Sequence, residues 1–172
     1  MNELIPNVST IGLLVNPGQG GAEVQVKDFE AGAKAIVKNG RIVPASNPQE
    51  LEAAFASLAP LKIDALLVAV DPLFDGRPDR VAALAARYAV PTIFHTREFA
   101  VAGGLMSYGA ELGEAYRQAG VYAGRILKGA KPSDLPVVQP TRFQLVINRR
   151  AAAALGLTLP QSILVRADEV IE

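Results

Sequence analysis

Between Ile11 and Phe94 short apolar runs alternate with stretches of helical periodicity. Ile11-Gly12-Leu13-Leu14-Val15, closed by Asn16-Pro17-Gly18, has the length and apolar continuity of a buried strand. Ala22 to Asn39 repeats Val26, Phe29, Ala33, Ile36 and Val37 at helical spacing, and Gly40 is placed to end that helix. Arg41 to Ala45 predicts a second, weaker strand. Ser46-Asn47-Pro48-Gln49-Glu50 predicts a helix start, with Asn47 as cap, Pro48 at the first helical position and Glu50 at the third. Leu51, Ala54, Phe55 and Leu58 give that helix an inward face. Asp64 precedes Ala65 to Val70, the cleanest strand of the chain. A helix from Pro78 to Tyr88 turns Val81, Leu84 and Ala85 inward, and Val90 to Phe94 is the fourth strand.

Strands alternating with helices predict an α/β fold with a doubly wound parallel sheet. The handedness of such crossovers puts the turns after Val15, Ala45, Val70 and Phe94 on one edge, where ligands of open α/β sheets bind. Beyond Phe94 the pattern changes. A loop through Thr96-Arg97-Glu98-Phe99 leads to Gly103-Gly104 and a short strand from Leu105 to Tyr108. Leu112 to Leu127 is a long amphipathic helix with Ala115, Tyr116, Ala119, Ala123, Ile126 and Leu127 apolar. Lys131 to Pro140 reads as an extended connector. Phe143 to Ile147 is a strand, and Arg149 to Leu155 a short helix closed by Gly156.

Composition narrows the function classes. The chain has 172 residues, 50% of them hydrophobic and only 6% aromatic, which suits helices on a buried sheet better than a β-sandwich. Its 17 basic and 17 acidic residues cancel, and Arg149-Arg150 is only a pair, so a nucleic-acid partner is not expected. There is no cysteine and one histidine, His95, which excludes disulfides and cysteine metal sites. Neither metal nor cofactor is expected. The longest strongly apolar run, Ala65 to Val70, falls far short of the ~18 residues of a membrane span. Met1 to Pro6 has neither the basic nor the apolar region of a signal peptide.

The candidate chemistry is sparse. Asn16-Pro17-Gly18-Gln19-Gly20-Gly21 joins a strand to a helix, but it lacks a Walker lysine and the GxGxxG spacing. Pro44-Ala45-Ser46 lacks the acid of a dinucleotide site. Gly104-Leu105-Met106-Ser107-Tyr108-Gly109 fails the nucleophile-elbow pattern at Leu105, and His95 lies upstream of Ser107, against hydrolase order. His95 is either a polar strand terminus or a ligand contact, with no partner to make it a general base. Asp71 follows an apolar run, where a carboxylate is costly unless satisfied. It reads either as a local turn bonded to its own backbone or as the partner of a ligand cation such as an ammonium. Asp71 and Asp75 are separated by Pro72 and make a poor acid–base pair. Arg97 is placed to grip a carboxylate, with Phe74 and Phe99 walling an apolar ligand group. The alternative is an Arg97–Glu98 surface pair with Phe99 in the core. The residues thus predict a small-molecule holder centred on Asp71-Pro72-Leu73-Phe74, and no enzyme.

Several collinear phrases point to a family. Leu13-Leu14-Val15-Asn16-Pro17, Ala65-Leu66-Leu67-Val68 with Asp71-Pro72-Leu73-Phe74, and Gly103-Gly104-Leu105-Met106-Ser107-Tyr108-Gly109 resemble ABC-transporter substrate-binding proteins of the tryptophan/tyrosine-binding type. So do Arg125 to Pro132 with Leu135-Pro136, Leu145-Val146-Ile147-Asn148 running into Ala154-Leu155-Gly156-Leu157, and Arg166 to Ile171. The resemblance implies a type I periplasmic-binding fold that closes on its ligand and delivers it to an ABC permease. It implies a periplasmic or lipid-anchored location. It gives Asp71 the ligand's α-ammonium, and adds Asn16, Pro17, Arg97, Glu98, Phe99 and Tyr108 to the cleft. Pro72-Leu73-Phe74 departs from the polar residue that usually follows the aspartate in amino-acid-binding relatives.

Met1 to Pro6 resembles a mid-chain helix end, so the chain is expected to match the C-terminal half of such proteins. Residues 1–108 would form the ligand-binding lobe. Residues 109–172 would hold a crossover helix, a connector and a C-terminal strand and helix returning to the lobe. The Leu112–Leu127 helix would then expose an apolar face, which predicts a homodimer. Two other classes fit the pattern, a ligand-sensing regulatory domain of the same fold and a small α/β enzyme.

Overall fold

The computed structural model describes residues 3–5, 8–36 and 39–172. The chain opens with β1 (Thr10–Val15), α1 (Ala22–Ile36), β2 (Asn39–Pro44), α2 (Pro48–Ser57) and β3 (Ala65–Val68). A one-turn helix, α3 (Pro72–Asp75), precedes α4 (Pro78–Arg87), β4 (Thr92–Phe94), α5 (Arg97–Val101) and β5 (Met106–Ala110). Then come α6 (Leu112–Leu127), a 3-10 turn at Pro132–Asp134, β6 (Phe143–Asn148), α7 (Arg149–Ala154), α8 (Gln161–Arg166) and β7 (Glu169–Ile171). The strands form one seven-stranded sheet in the order β2-β1-β3-β4-β5-β6-β7.

The pairs from β2 to β5 are parallel, as the alternation of strands and helices predicts. All six residues of β1 are buried, because helices cover both faces. Leu14 packs with Val43, Leu51, Phe55, Leu66 and Val81 on the α2/α4 side. Ile11, Leu13 and Val15 pack with Ala22, Phe29 and Ala33 on the α1 side. A third cluster joins Leu4 to Leu105, Met106, Ile147, Ala152 and Ile163.

Local signals act as expected at α2. The Asn47 side chain accepts hydrogen bonds from the Gln49 and Glu50 backbone N–H groups at 3.1 and 2.9 Å. Glu50 reaches back one residue further than the usual box and accepts from the Ser46 N–H at 2.8 Å. Leu51, Ala54, Phe55 and Leu58 are all buried.

Elsewhere the boundaries shift. Asn39 and Gly40 belong to β2, not to the end of the preceding helix, and Gly40 pairs with Ile11. The glycine serves packing: a Cβ there would lie 3.1 Å from the Phe29 ring and 3.2 Å from Ala33. Val37 lies outside the described residues. β3 stops at Val68, since Val70 bonds instead to the Gln25 side chain. The loop expected at Thr96 to Phe99 is largely helix α5.

The sheet also departs from all-parallel. β6 runs antiparallel to β5, and β7 parallel to β6. The C-terminal segment thus rejoins the sheet, and the division expected between 108 and 109 falls inside β5. No helix among the described residues is long and apolar enough to cross a membrane.

Candidate functional site

The order of the strands locates the site. β2 lies on one side of β1 and β3 on the other, so the crossover direction reverses there. A crevice opens outside the carboxyl ends at such a point. The Asn16 loop and the Asp71 loop flank it. Asn16 builds its own turn: Oδ1 accepts from the Gly18 N–H at 3.0 Å, and its carbonyl from the Gln19 N–H at 3.1 Å. Pro17 follows on the exposed tip. Gln25 of α1 clamps the facing loop, accepting from the Val70 N–H at 2.7 Å and donating to the Val70 carbonyl at 3.1 Å.

Asp71 caps α3 and is only 2% exposed. Its Oδ1 accepts from the Leu73 N–H at 2.7 Å. Its Oδ2 is buried and has no hydrogen-bond partner. The local turn thus uses one oxygen and leaves the second without a partner. A buried, unsatisfied carboxylate oxygen costs at least about 1–3 kcal/mol, an unusual feature to retain without use. Gln19 Oε1 and both ring nitrogens of His95 are likewise buried without an aligned partner. All of these atoms sit on loops after β1, β3 and β4.

Asp75 ends α3 and brings Oδ1 to 3.0 Å from His95 Nε2, a close contact without hydrogen-bond alignment. Burial pushes the Asp75 carboxyl above its ordinary range; His95 pulls it down, and the neighbouring Asp71 charge adds to the rise. Both carboxylates thus meet at one edge, although sequence spacing gave no reason to join them to His95.

A cleft of about 330 Å³ lies along the ends of β4 and β5, lined by His95, Thr96, Arg97, Glu98, Ser107 and Gly109 among others but not by Asn16 or Asp71. Arg97 forks onto Glu169 of β7 at 2.6 and 2.7 Å. It does not pair with Glu98, and that expectation is corrected. The fork holds the Glu169 carboxyl below its ordinary value and leaves Glu98 exposed on the cleft. Phe74 and Phe99 lie in the core at 0% and 1% exposure, Phe99 stacked on Phe94 at 4.6 Å between centroids. They support the edge from beneath and present no ring to it. Tyr108 alternates with Ser107 and Gly109 along β5 and is stacked on Phe143 at 5.8 Å, outside this cleft.

A larger groove of about 490 Å³ runs between α6 and residues 132–142. Its walls are mainly apolar, and none of the unpartnered buried atoms lies in it. The polar strand-end region is the better candidate, because orientation and specificity come from convergent polar groups.

Comparison with known proteins identifies the family. The family described as ABC transporter substrate binding protein matches residues 1–171. An ABC domain from Streptococcus pneumoniae, solved in complex with L-Trp, has 28% identity and a TM-score of 0.88; 99% of this chain and 57% of that one are covered. A conserved domain protein from Vibrio cholerae has 25% identity and a TM-score of 0.87, with 98% and 57% covered. The ligand-free, open structure of a substrate-binding protein with adhesive properties from Clostridium difficile shares the fold at a TM-score of 0.71 and 24% identity. No curated protein matches. The chain spans 57% of the length of the first two structures. With that match over nearly its whole length, the chain belongs to the ABC transporter substrate-binding protein family.

Proposed function

We propose that this chain is the solute-binding component of an ABC importer and that its strand-end edge holds a small molecule without transforming it. The observation that carries the reading is Asp71: a residue 2% exposed whose Oδ2 has no partner, at the switch point of a doubly wound sheet. An ionised carboxylate only accepts hydrogen bonds. The group that suits it is a donor, best a cationic amine. A structural neighbour solved with L-Trp supports an amino acid or related amine as the ligand class. Asn16, Pro17, Arg97 and Glu98 are the further proposed contacts and rim, with Phe74 and Phe99 fixing the loops from below. An ABC permease is the proposed recipient of the ligand, at an extracytoplasmic membrane face.

Thermal-shift screening of amino acids and amines tests this. A ligand that raises the midpoint of the wild type is expected to have no effect on Asp71→Ala. Unchanged affinity in that variant sinks the assignment.

We also infer that α6 docks against a second copy of the chain. None of its residues is buried, and Tyr116 and Leu127 are 74% and 87% exposed.

A further inference from the structure

His95 follows β4 directly, next to the strand whose end leads to Asp71. Its side chain is only 19% exposed, and both ring nitrogens are shut off from solvent without an aligned hydrogen bond. The placement is enforced by packing. A Cβ on Gly109 would lie 1.9 Å from the His95 carbonyl oxygen, so only glycine lets β5 pass this close. The imidazole rests on Phe99, with centroids 5.6 Å apart. Asp75 stands beside it, Oδ1 to Nε2 at 3.0 Å.

A carboxylate beside Nε2 favours the tautomer that carries its proton there. Nδ1 then offers a lone pair. Asp71 Oδ2, at the neighbouring strand end, is an acceptor too. Two buried acceptors on the loops after neighbouring strands suit one group with several N–H donors. We propose that His95, oriented by Asp75, is a ligand contact that accepts a hydrogen bond from the ligand's amine through Nδ1, and that protonation of the imidazole releases the ligand. The proposal rests on the reading of Asp71 as the ammonium's partner.

The charges around the ring agree with this. Asp75 of α3 touches it, Arg97 and Glu98 of α5 and Glu111 of the turn before α6 line the same cleft, and Asp71 caps α3 on the neighbouring loop. Arg97 is neutralised by Glu169 and Glu111 by Arg142. The remaining excess is acidic, which favours a cationic ligand. A protonated imidazole turns Nδ1 into a donor and sets a second cation against the amine. Burial already holds the Asp75 carboxyl above its ordinary value.

One histidine in the chain makes the imidazole directly readable. Long-range 1H–15N spectra of the intact protein at about pH 8 are expected to show the Nε2–H tautomer, and a loss of that preference in Asp75→Ala. An Nδ1–H tautomer in the wild type overturns the proposal whatever else binds. Calorimetry with L-tryptophan as the probe reads the release step. The wild type is expected to lose roughly tenfold or more in affinity from about pH 8 to about pH 5. His95→Gln is expected to bind more weakly at the higher pH and to lose most of that slope. A flat wild-type profile, or a full slope without His95, overturns it, and so does a wild type that ignores the probe at both pH values. The failures are separable: a probe that still binds Asp71→Asn undoes the reading beneath, whereas one that needs Asp71 but keeps its slope in His95→Gln undoes only the role given to His95.

Discussion

Asp71 caps α3 with one oxygen, and the ligand contact proposed for the other can be separated from that task. Asparagine caps a helix about as well as aspartate, so Asp71→Asn keeps the bond to the Leu73 N–H while removing the charge. It is expected to leave stability within about 0.5 kcal/mol and to lose ligand binding, whereas Asp71→Ala costs about 1 kcal/mol as well. Chemical denaturation beside a binding assay separates the two. Asp64 shows a purely structural carboxylate by contrast. Its Oδ2 accepts from the Ser9 and Thr10 N–H groups at 2.8 and 2.9 Å, pinning the start of β1 beside β3. Those bonds hold its carboxyl below the ordinary value. A depressed carboxyl adds stability above its unfolded value, near pH 4, which is lost as pH falls through the folded one. Asp64→Asn is therefore expected to cost about 1 kcal/mol at neutral pH, a solvent-screened figure, and to flatten the acid side of the melting profile. Equal acid sensitivity in both proteins contradicts this.

At the scale of elements, periodic segments were legible and contact-made ones were not. α6 and the caps of α2 follow from spacing and side-chain chemistry that act within one turn. Asp71 was legible as a carboxylate that an apolar strand delivers to the carboxyl-end edge of the sheet. The Asp75–His95 contact was not, because α3 and β4 meet only in the fold. Arg97–Glu169 joins residues 72 apart in the chain, and no local pattern encodes that choice over Glu98. The one-turn α3 and the five-residue α5 are too short to show a period. Gly109 marks where such tertiary constraints fall. Gly109→Ala drives a methyl into the His95 carbonyl, with an expected cost on the order of 2 kcal/mol and a displaced imidazole. Denaturation and the histidine resonance read both effects together. A variant of wild-type stability and spectrum contradicts the close approach.

For the whole molecule, the sheet makes a stable body and α6 stands outside it. The helix exposes Leu112, Tyr116, Ile126 and Leu127, and the connector adds Val137 and Val138. Surfaces of this kind seek partners. Light scattering at micromolar concentration is expected to give twice the 18.1 kDa chain mass, and Tyr116→Glu to restore the single mass. A clean wild-type monomer contradicts the inferred docking. None of this bears on the strand-end edge, which is the central claim. That claim is tested most directly by titrating the 15N-labelled chain with L-tryptophan and, in parallel, the Asp71→Asn variant, and mapping the shifted amides. Shifts are expected only in the loops at residues 16–21, 69–75, 95–98 and 107–112, and none in the variant. Shifts gathered along α6 and residues 132–142, or an undiminished response without the Asp71 charge, would contradict it.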